Sequence, residues 1–174
     1  MTQAFRVAIS RLPQIIEKNA PGMMTRMIAR MKADLAHVEV GDQNVSHGAL
    51  FLKVAEEDLV RNFVTSTHAA FLQEDSALVG LSLEPEGGKA QDAVYTGSLA
   101  AYDKLCASAQ RLGVSGLERF GKDPFERAME DAFKRSRMDE RATDELMGFA
   151  RAALNAELLA IYTKLDDLAS QPAA

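Results

Sequence analysis

The chain has 174 residues, of which 47% are apolar and 26% are charged, and its net charge at neutral pH is −5. These proportions are typical of a globular protein and exclude a wholly disordered chain, which would contain far fewer apolar residues. No apolar run approaches the roughly 18 residues that a membrane-spanning helix needs. The length predicts one domain over residues 1–174, with subregions 1–75 and 90–169 as its halves.

The first half of the chain favours helices separated by turns. The spacing of apolar residues predicts a helix over Thr2–Lys18, kinked or broken before Pro13 because proline supplies no amide hydrogen. Asn19–Gly22 has the composition of a turn. Two further helices are expected over Gly22–His37 and Ser46–Glu74, where apolar residues recur every three or four positions.

The second half begins with the one long irregular segment of the sequence, near residues 76–89. Segments of this length are uncommon in compact domains and are often functional. Long helices are then predicted over Gln91–Leu112 and Asp139–Ala169, and Gly113 is placed for the left-handed residue that ends a helix.

A shorter helix between them has a clear start in the sequence. Asp123 is expected to be its N-cap and Pro124 its first helical residue, and the helix should end near Arg135. Since no run of strict apolar–polar alternation is long enough for a sheet, we expect an all-α bundle of five to seven helices.

Two apolar stripes are candidates for a contact surface. The stripe on the second predicted helix is rich in methionine, whose flexible side chains line surfaces that accept varied partners. The same spacing is also the ordinary way to build a core, so that alternative stays open. The second stripe lies on the last helix, where apolar residues alternate steps of four and three as in a coiled coil. The candidate partner-binding residues are Met23, Arg26, Met27, Arg30, Met31, Lys32, Leu158, Ile161 and Leu165.

Basic residues are concentrated at the start of the chain. Residues 1–32 carry six basic groups and one acidic group, whereas the rest of the chain carries 14 basic and 24 acidic groups. An acidic protein or an anionic membrane surface would be attracted to this block. Nucleic acid is the less favoured partner because the chain as a whole is acidic.

The histidines do not have the spacing of metal ligands. His37, His47 and His68 are separated by 10 and 21 residues, whereas helical metal ligands recur at three or four. The acidic clusters at Glu56–Asp58 and Asp139–Glu145 fall away from the apolar stripes, which favours solvated carboxylates. We therefore expect no metal site and no pair of catalytic acids.

Cys106 is the only cysteine, so an internal disulfide is excluded and a reducing cytoplasm is the expected location. It lies among apolar residues with no histidine nearby in sequence, which favours a core thiol over a nucleophile. Met1–Pro13 mixes Arg6 and Arg11 into its apolar positions, so a secretory signal is not expected. No catalytic, cofactor-binding or metal-binding residue is predicted, and no cofactor.

A set of residues in the second half of the chain also has the pattern of a known family. These residues are Leu112–Val114, Glu118–Phe120, Asp123–Pro124, Phe133, Leu159, Tyr162 and Leu165. Through them, the chain from about Ser82 onward resembles the later part of a large family of uncharacterised proteobacterial helical proteins that are often labelled thymidine phosphorylases. The resemblance implies a bacterial helical module with a regulatory role. The label itself gains no support, because nothing in the sequence is similar to a phosphate- or nucleoside-binding site.

Three functions are compatible with these patterns. The first is a non-enzymatic protein–protein interaction or regulatory module of a bacterial cytoplasm, with an acidic protein or a second copy of the chain as partner. The alternative is a small-molecule sensor or carrier with an apolar pocket between helices, closed by residues 76–89. The third is association with a membrane surface or nucleic acid through residues 1–32.

Overall fold

In the computed structural model, residues 3–38, 46–72 and 89–170 are described and form an all-α bundle without strands. This confirms the predicted fold class and helix number. Lys89 begins a helix, and residues 76–88 of the predicted irregular segment lie outside the described residues. The helices are α1 (Gln3–Ser10), α2 (Leu12–Val38), α3 (His47–Leu72), α4 (Lys89–Arg111), α5 (Lys122–Arg135) and α6 (Glu140–Ser170), with a 3-10 turn at Glu118–Phe120.

The predicted break before Pro13 is confirmed at the junction of α1 and α2. The helical pattern is interrupted at Arg11, and Pro13 is the second residue of α2. Proline is tolerated in a first turn, where its missing amide hydrogen has no helical partner to lose. Helical hydrogen bonds still cross the junction, from the Arg11 amide to the Val7 carbonyl at 3.1 Å and from Ile15 to Arg11 at 2.9 Å.

The turn predicted over Asn19–Gly22 is wrong, because α2 continues through Pro21. Ile16 and Ala20 before the proline and Met23 after it are all buried in one core, so a continuous helix keeps the whole stripe out of water. The Asn19 side-chain amide donates to the Ile15 carbonyl at 2.6 Å. Packing of the stripe therefore outweighs the turn composition.

The central helices of the bundle are α3 and α6. Helix α6 packs against α4, α2 and α3, and it also contacts α1 and α5, while α3 lies between α2 and α5. Together they enclose one continuous apolar core. Its largest fully buried side chains include Phe5, Phe63, Phe125, Phe133, Met24, Met27 and Met31.

The connection from α4 to α5 is held by two tyrosines. Gly113, at a φ of 63°, ends α4 as predicted, and the Val114 amide returns to the Ala109 carbonyl at 2.9 Å. The Tyr102 hydroxyl donates to the Leu117 carbonyl at 3.0 Å, and the Tyr162 hydroxyl donates to the Phe120 carbonyl at 2.9 Å. These contacts fix the 3-10 turn on the bundle.

The sequence predicts the start of α6 correctly but not the start of α5. Helix α5 begins at Lys122 with Gly121 as its N-cap, so the predicted roles of Asp123 as N-cap and Pro124 as first residue are wrong. Both residues lie in the first turn, where proline and an acidic side chain are still favourable. The predicted start of α6 near Asp139 is correct, and the Asp139 carboxylate caps the helix by accepting from the Ala142 amide at 2.7 Å.

Candidate functional site: an apolar groove between α1, α2 and α6

One concave surface of the described residues is an apolar groove between α1, the first half of α2 and the second half of α6. It has a volume of about 320 Å³. Nine of its thirteen lining residues are apolar. Its lining residues are Ala8, Leu12, Ile15, Ile16, Asn19, Met23, Arg26, Glu157, Ala160, Ile161, Lys164, Leu165 and Leu168.

The groove follows from the periodicity of the two helices that form it. On α2 the lining positions run from 12 to 26 in steps of one, three or four, and on α6 from 157 to 168 in the same way. Such positions share one face of a helix. At 1.5 Å per residue, the α2 wall is about 20 Å long. The groove is therefore elongated along the helix axes.

An ion pair closes one end of the groove. The Glu157 side chain is only 6% exposed. Arg26 donates from Nε to Oε1 at 3.2 Å and to Oε2 at 3.0 Å, and from Nη2 to Oε2 at 2.8 Å. Arg30 Nη2 lies 3.8 Å from Oε1. The hydrogen bond with Glu157 raises the pKa of Arg26. Because both carboxylate oxygens are engaged by guanidinium groups, the pair positions α2 against α6.

The other polar lining residues leave a positive charge on the rim. Asn19 uses its amide within its own helix, as described above. Lys164 is exposed and forms no ion pair within the part of the chain that the structure describes. The charged side chains that line the groove are thus the ion pair of Glu157 with Arg26 and the single cation of Lys164.

The structure separates the predicted partner-binding residues into two groups. Met27, Met31 and Leu158 are fully buried in the core, so the core alternative describes them and they cannot form an exposed contact surface. Met23, Arg26, Ile161 and Leu165, which the sequence placed on two different stripes, line the same groove. The fold therefore brings these four predicted residues together, and their role in partner binding stays a prediction.

The basic block at the start of the chain is partly engaged within the protein. Arg30 contacts Glu157 as described above, and Lys32 pairs with Glu56. Arg6 donates through Nη2 to the Leu112 carbonyl at 3.3 Å. These contacts reduce the positive charge that residues 1–32 offer to an external polyanion.

The remaining chemical candidates are dispersed over the bundle. His68 contacts Glu17 at 2.9 Å, and Cys106 packs at the edge of the core beside Tyr102. Burial raises the pKa of the Tyr102 phenol, and the neighbouring Cys106 raises it further. Within the described residues, no group of three histidine, cysteine or acidic side chains is placed to hold a metal ion.

Glu145 corrects the prediction of a solvated acidic face. Its carboxylate accepts from the Ser46 hydroxyl at 2.6 Å and from the Gly48 amide at 2.7 Å, so it caps the start of α3 from α6. These hydrogen bonds lower the pKa of Glu145. Nothing in the local sequence indicates this role, because the partners are about 100 residues away.

Two charged groove residues are not indicated by the sequence for a similar reason. Glu157 and Lys164 are ordinary charged residues on a long helix, and only their position opposite α2 makes them part of a site. Their spacing of seven, with Ile161 between them, is the one available signal, since it places all three on one face.

No protein-family model, curated protein or solved structure matches this chain. The resemblance to the proteobacterial helical family therefore stays a prediction. Some of the residues that carry the resemblance have a structural role. Glu118–Phe120 forms the 3-10 turn, and the Tyr162 hydroxyl donates a hydrogen bond to it. Across the described ranges, no helix is both long and apolar enough to cross a membrane.

Proposed function

We propose that this protein is a non-enzymatic binding module, a sensor or carrier that takes a small apolar molecule into the groove between α1, α2 and α6. The observation that carries the proposal is the elongated apolar wall, formed by two helices and open to solvent along one side. Small-molecule sites are concave and mainly apolar, with a few polar groups that set orientation. The volume of about 320 Å³ lies at the lower end of the range for such sites, about 300–1,000 Å³.

The polar chemistry of the groove supports binding over catalysis. Among the described lining residues, Glu157 is the only carboxylate, and Arg26 and Arg30 occupy its oxygens. A general base needs an oxygen that reaches the proton to be removed. Here the carboxylate instead orients two arginines at the end of an apolar surface.

Burial of Met27 and Met31 removes the main support for the interaction module that the sequence ranks first. A homodimer and an acidic protein partner stay predictions, as do a regulatory role and a bacterial cytoplasmic location. One experiment distinguishes a small molecule in the groove from a second copy or a protein partner, because each adds a different mass to the protein.

The test is native mass spectrometry of the untagged protein from its own source, compared with a variant whose groove is filled. We expect the wild-type protein to carry an extra mass of a few hundred daltons that is lost on denaturation. Ala160→Phe places a ring into the groove and should abolish the extra mass. Ala100→Phe, at an exposed position of α4, makes the same change elsewhere and should keep it.

The proposal fails if the protein carries no small molecule, or if Ala160→Phe retains it to the same extent as Ala100→Phe. A dimer mass or a bound protein without a small molecule would return the interaction module to first place. Circular dichroism of both variants establishes that each is folded before the masses are compared.

A further inference from the structure

The groove has the form of a site for one extended aliphatic chain. Its lining positions run along about 20 Å of α2 in a single row, matched by a row on α6. Each methylene buried along it would add a favourable transfer free energy.

The charges around the groove favour a negative group on that chain. Arg26 and Arg30 together bring two positive charges to the single carboxylate of Glu157, and Lys164 adds a third on the rim. An anionic head group would pair with Lys164, whereas a cationic one would face an excess of like charge. The lysine is also long enough to lay its methylenes on the apolar wall while its ammonium group stays in water.

The acidic residues near Lys164 on α6 do not cancel this preference. Asp166 accepts from Lys104 at 2.7 Å and from Ser108 at 2.7 Å, so it faces α4. Asp167 is exposed, does not line the groove and contributes to the electrostatics of Lys104. Asp166 is therefore directed to the α4 side of α6, and Asp167 lies outside the groove lining.

We propose that the groove binds a single-chain amphiphile with an anionic head group, the chain lying between α2 and α6 and the head group pairing with Lys164. This inference rests on the proposed function and narrows its ligand to one chemical class. A carboxylate, phosphate or sulfate head group satisfies it equally, because each offers the lysine a negatively charged oxygen.

The experiment is a titration of the full-length protein, followed by its amide NMR spectrum, with three ligands of equal chain length and different charge. Decanoate, decanol and decyltrimethylammonium are added below their micellar concentrations. We expect decanoate to bind about tenfold more tightly than decyltrimethylammonium at low salt, with decanol between them. The difference should shrink as salt rises, because the pairing with Lys164 is at the surface.

A charge reversal locates the preference. Lys164→Glu should weaken decanoate binding about tenfold and weaken decanol binding far less, because decanol carries no charge. Lys53→Glu makes the same charge change at an exposed position of α3 outside the groove and should affect neither ligand. Both are surface changes, and the amide spectrum of each variant reports directly whether it is folded.

The outcomes separate this inference from the proposal beneath it. If all three ligands bind equally and Ala160→Phe blocks them, the apolar groove stands and the anionic preference is wrong. If decanoate is preferred but Lys164→Glu does not weaken it, the head group does not pair with Lys164 and the inference is again overturned. If none of the ligands binds, both the inference and the proposed function lose their support.

Discussion

Gly48 occupies a close contact between α3 and α6. A Cβ atom at this position would lie 2.8 Å from Cγ of Leu146 and 3.2 Å from Oε2 of Glu145. The Gly48 amide itself donates to that Glu145 oxygen at 2.7 Å. The absence of a side chain therefore allows α6 to approach and Glu145 to cap the start of α3.

We predict that Gly48→Ala destabilises the protein by about 1–2 kcal/mol in urea unfolding. Alanine favours a helix by about 1 kcal/mol over glycine, but overpacking costs about 1–3 kcal/mol and the cap is disturbed as well. The matched control is Gly97→Ala on α4, where the nearest atom, Leu159 Cδ2, lies 3.7 Å away. That variant should gain about 0.5–1 kcal/mol, and an equal gain at both glycines would contradict the packing argument.

At the scale of the helix, α2 is the element in which local chemistry and packing disagree most. Pro21 lies within its 27 residues and cannot donate a hydrogen bond to the carbonyl one turn earlier, that of Glu17. The proline itself is exposed, while Ala20 and Met24 on either side of it are fully buried. The helix keeps its course because its apolar stripe is buried on both sides of the proline.

We predict that Pro21→Ala stabilises the protein by about 1–2 kcal/mol, measured by urea unfolding. Alanine restores the missing hydrogen bond and removes the ring, and the greater freedom of the unfolded chain offsets part of the gain. Pro13→Ala serves as the control because Pro13 lies in the first turn, and its change should stay within about 0.5 kcal/mol. Loss of stability in Pro21→Ala would mean that the proline shapes α2 in a way the packing requires.

At the scale of the whole molecule, several carboxylates join one helix to another, and three of them have lowered pKa values. Asp131 of α5 accepts from Ser66 of α3 at 2.6 Å, Asp166 of α6 accepts from Ser108 of α4 at 2.7 Å, and Glu145 caps α3. The hydrogen bond from Ser66 lowers the pKa of Asp131, and the one from Lys104 does so for Asp166. The bundle is thus stabilised by groups that must be ionised.

We predict that the free energy of unfolding falls as the pH drops below about 4–5. The folded-state pKa values of these carboxylates lie below their unfolded values of about 3.9–4.3, so their contribution is complete above that range and is lost as they take up protons. Urea unfolding between pH 7 and 3 measures the slope. Asp166→Asn should be less stable at pH 7 and show a flatter slope, whereas an unchanged slope would contradict a depressed pKa at Asp166.

The sequence predicted a helix end correctly where the residues that form that end are neighbours in the chain. Gly113 adopts the expected left-handed conformation, and α6 begins at Glu140, beside the expected start at Asp139. Arg137 adopts a similar conformation at a φ of 59° and ends α5, although an arginine does not favour it. The Arg137 amide donates to the Lys134 carbonyl at 3.0 Å and the Met138 amide to the Phe133 carbonyl at 3.2 Å. The sequence offers no sign of this turn, because arginine is not a residue type that favours the left-handed conformation.

The sequence by itself determined that the chain is helical, because apolar residues every three or four positions form a helix face wherever it packs. Only the tertiary structure decided which faces meet. In the folded protein Met27 and Met31 are buried, and α2 continues through Pro21. Ile161 and Lys164 of α6 line the same groove as Met23 of α2. The physical reason is that periodicity reports the apolar side of one helix, whereas a groove depends on the distance and charge between two helices that lie far apart in the chain.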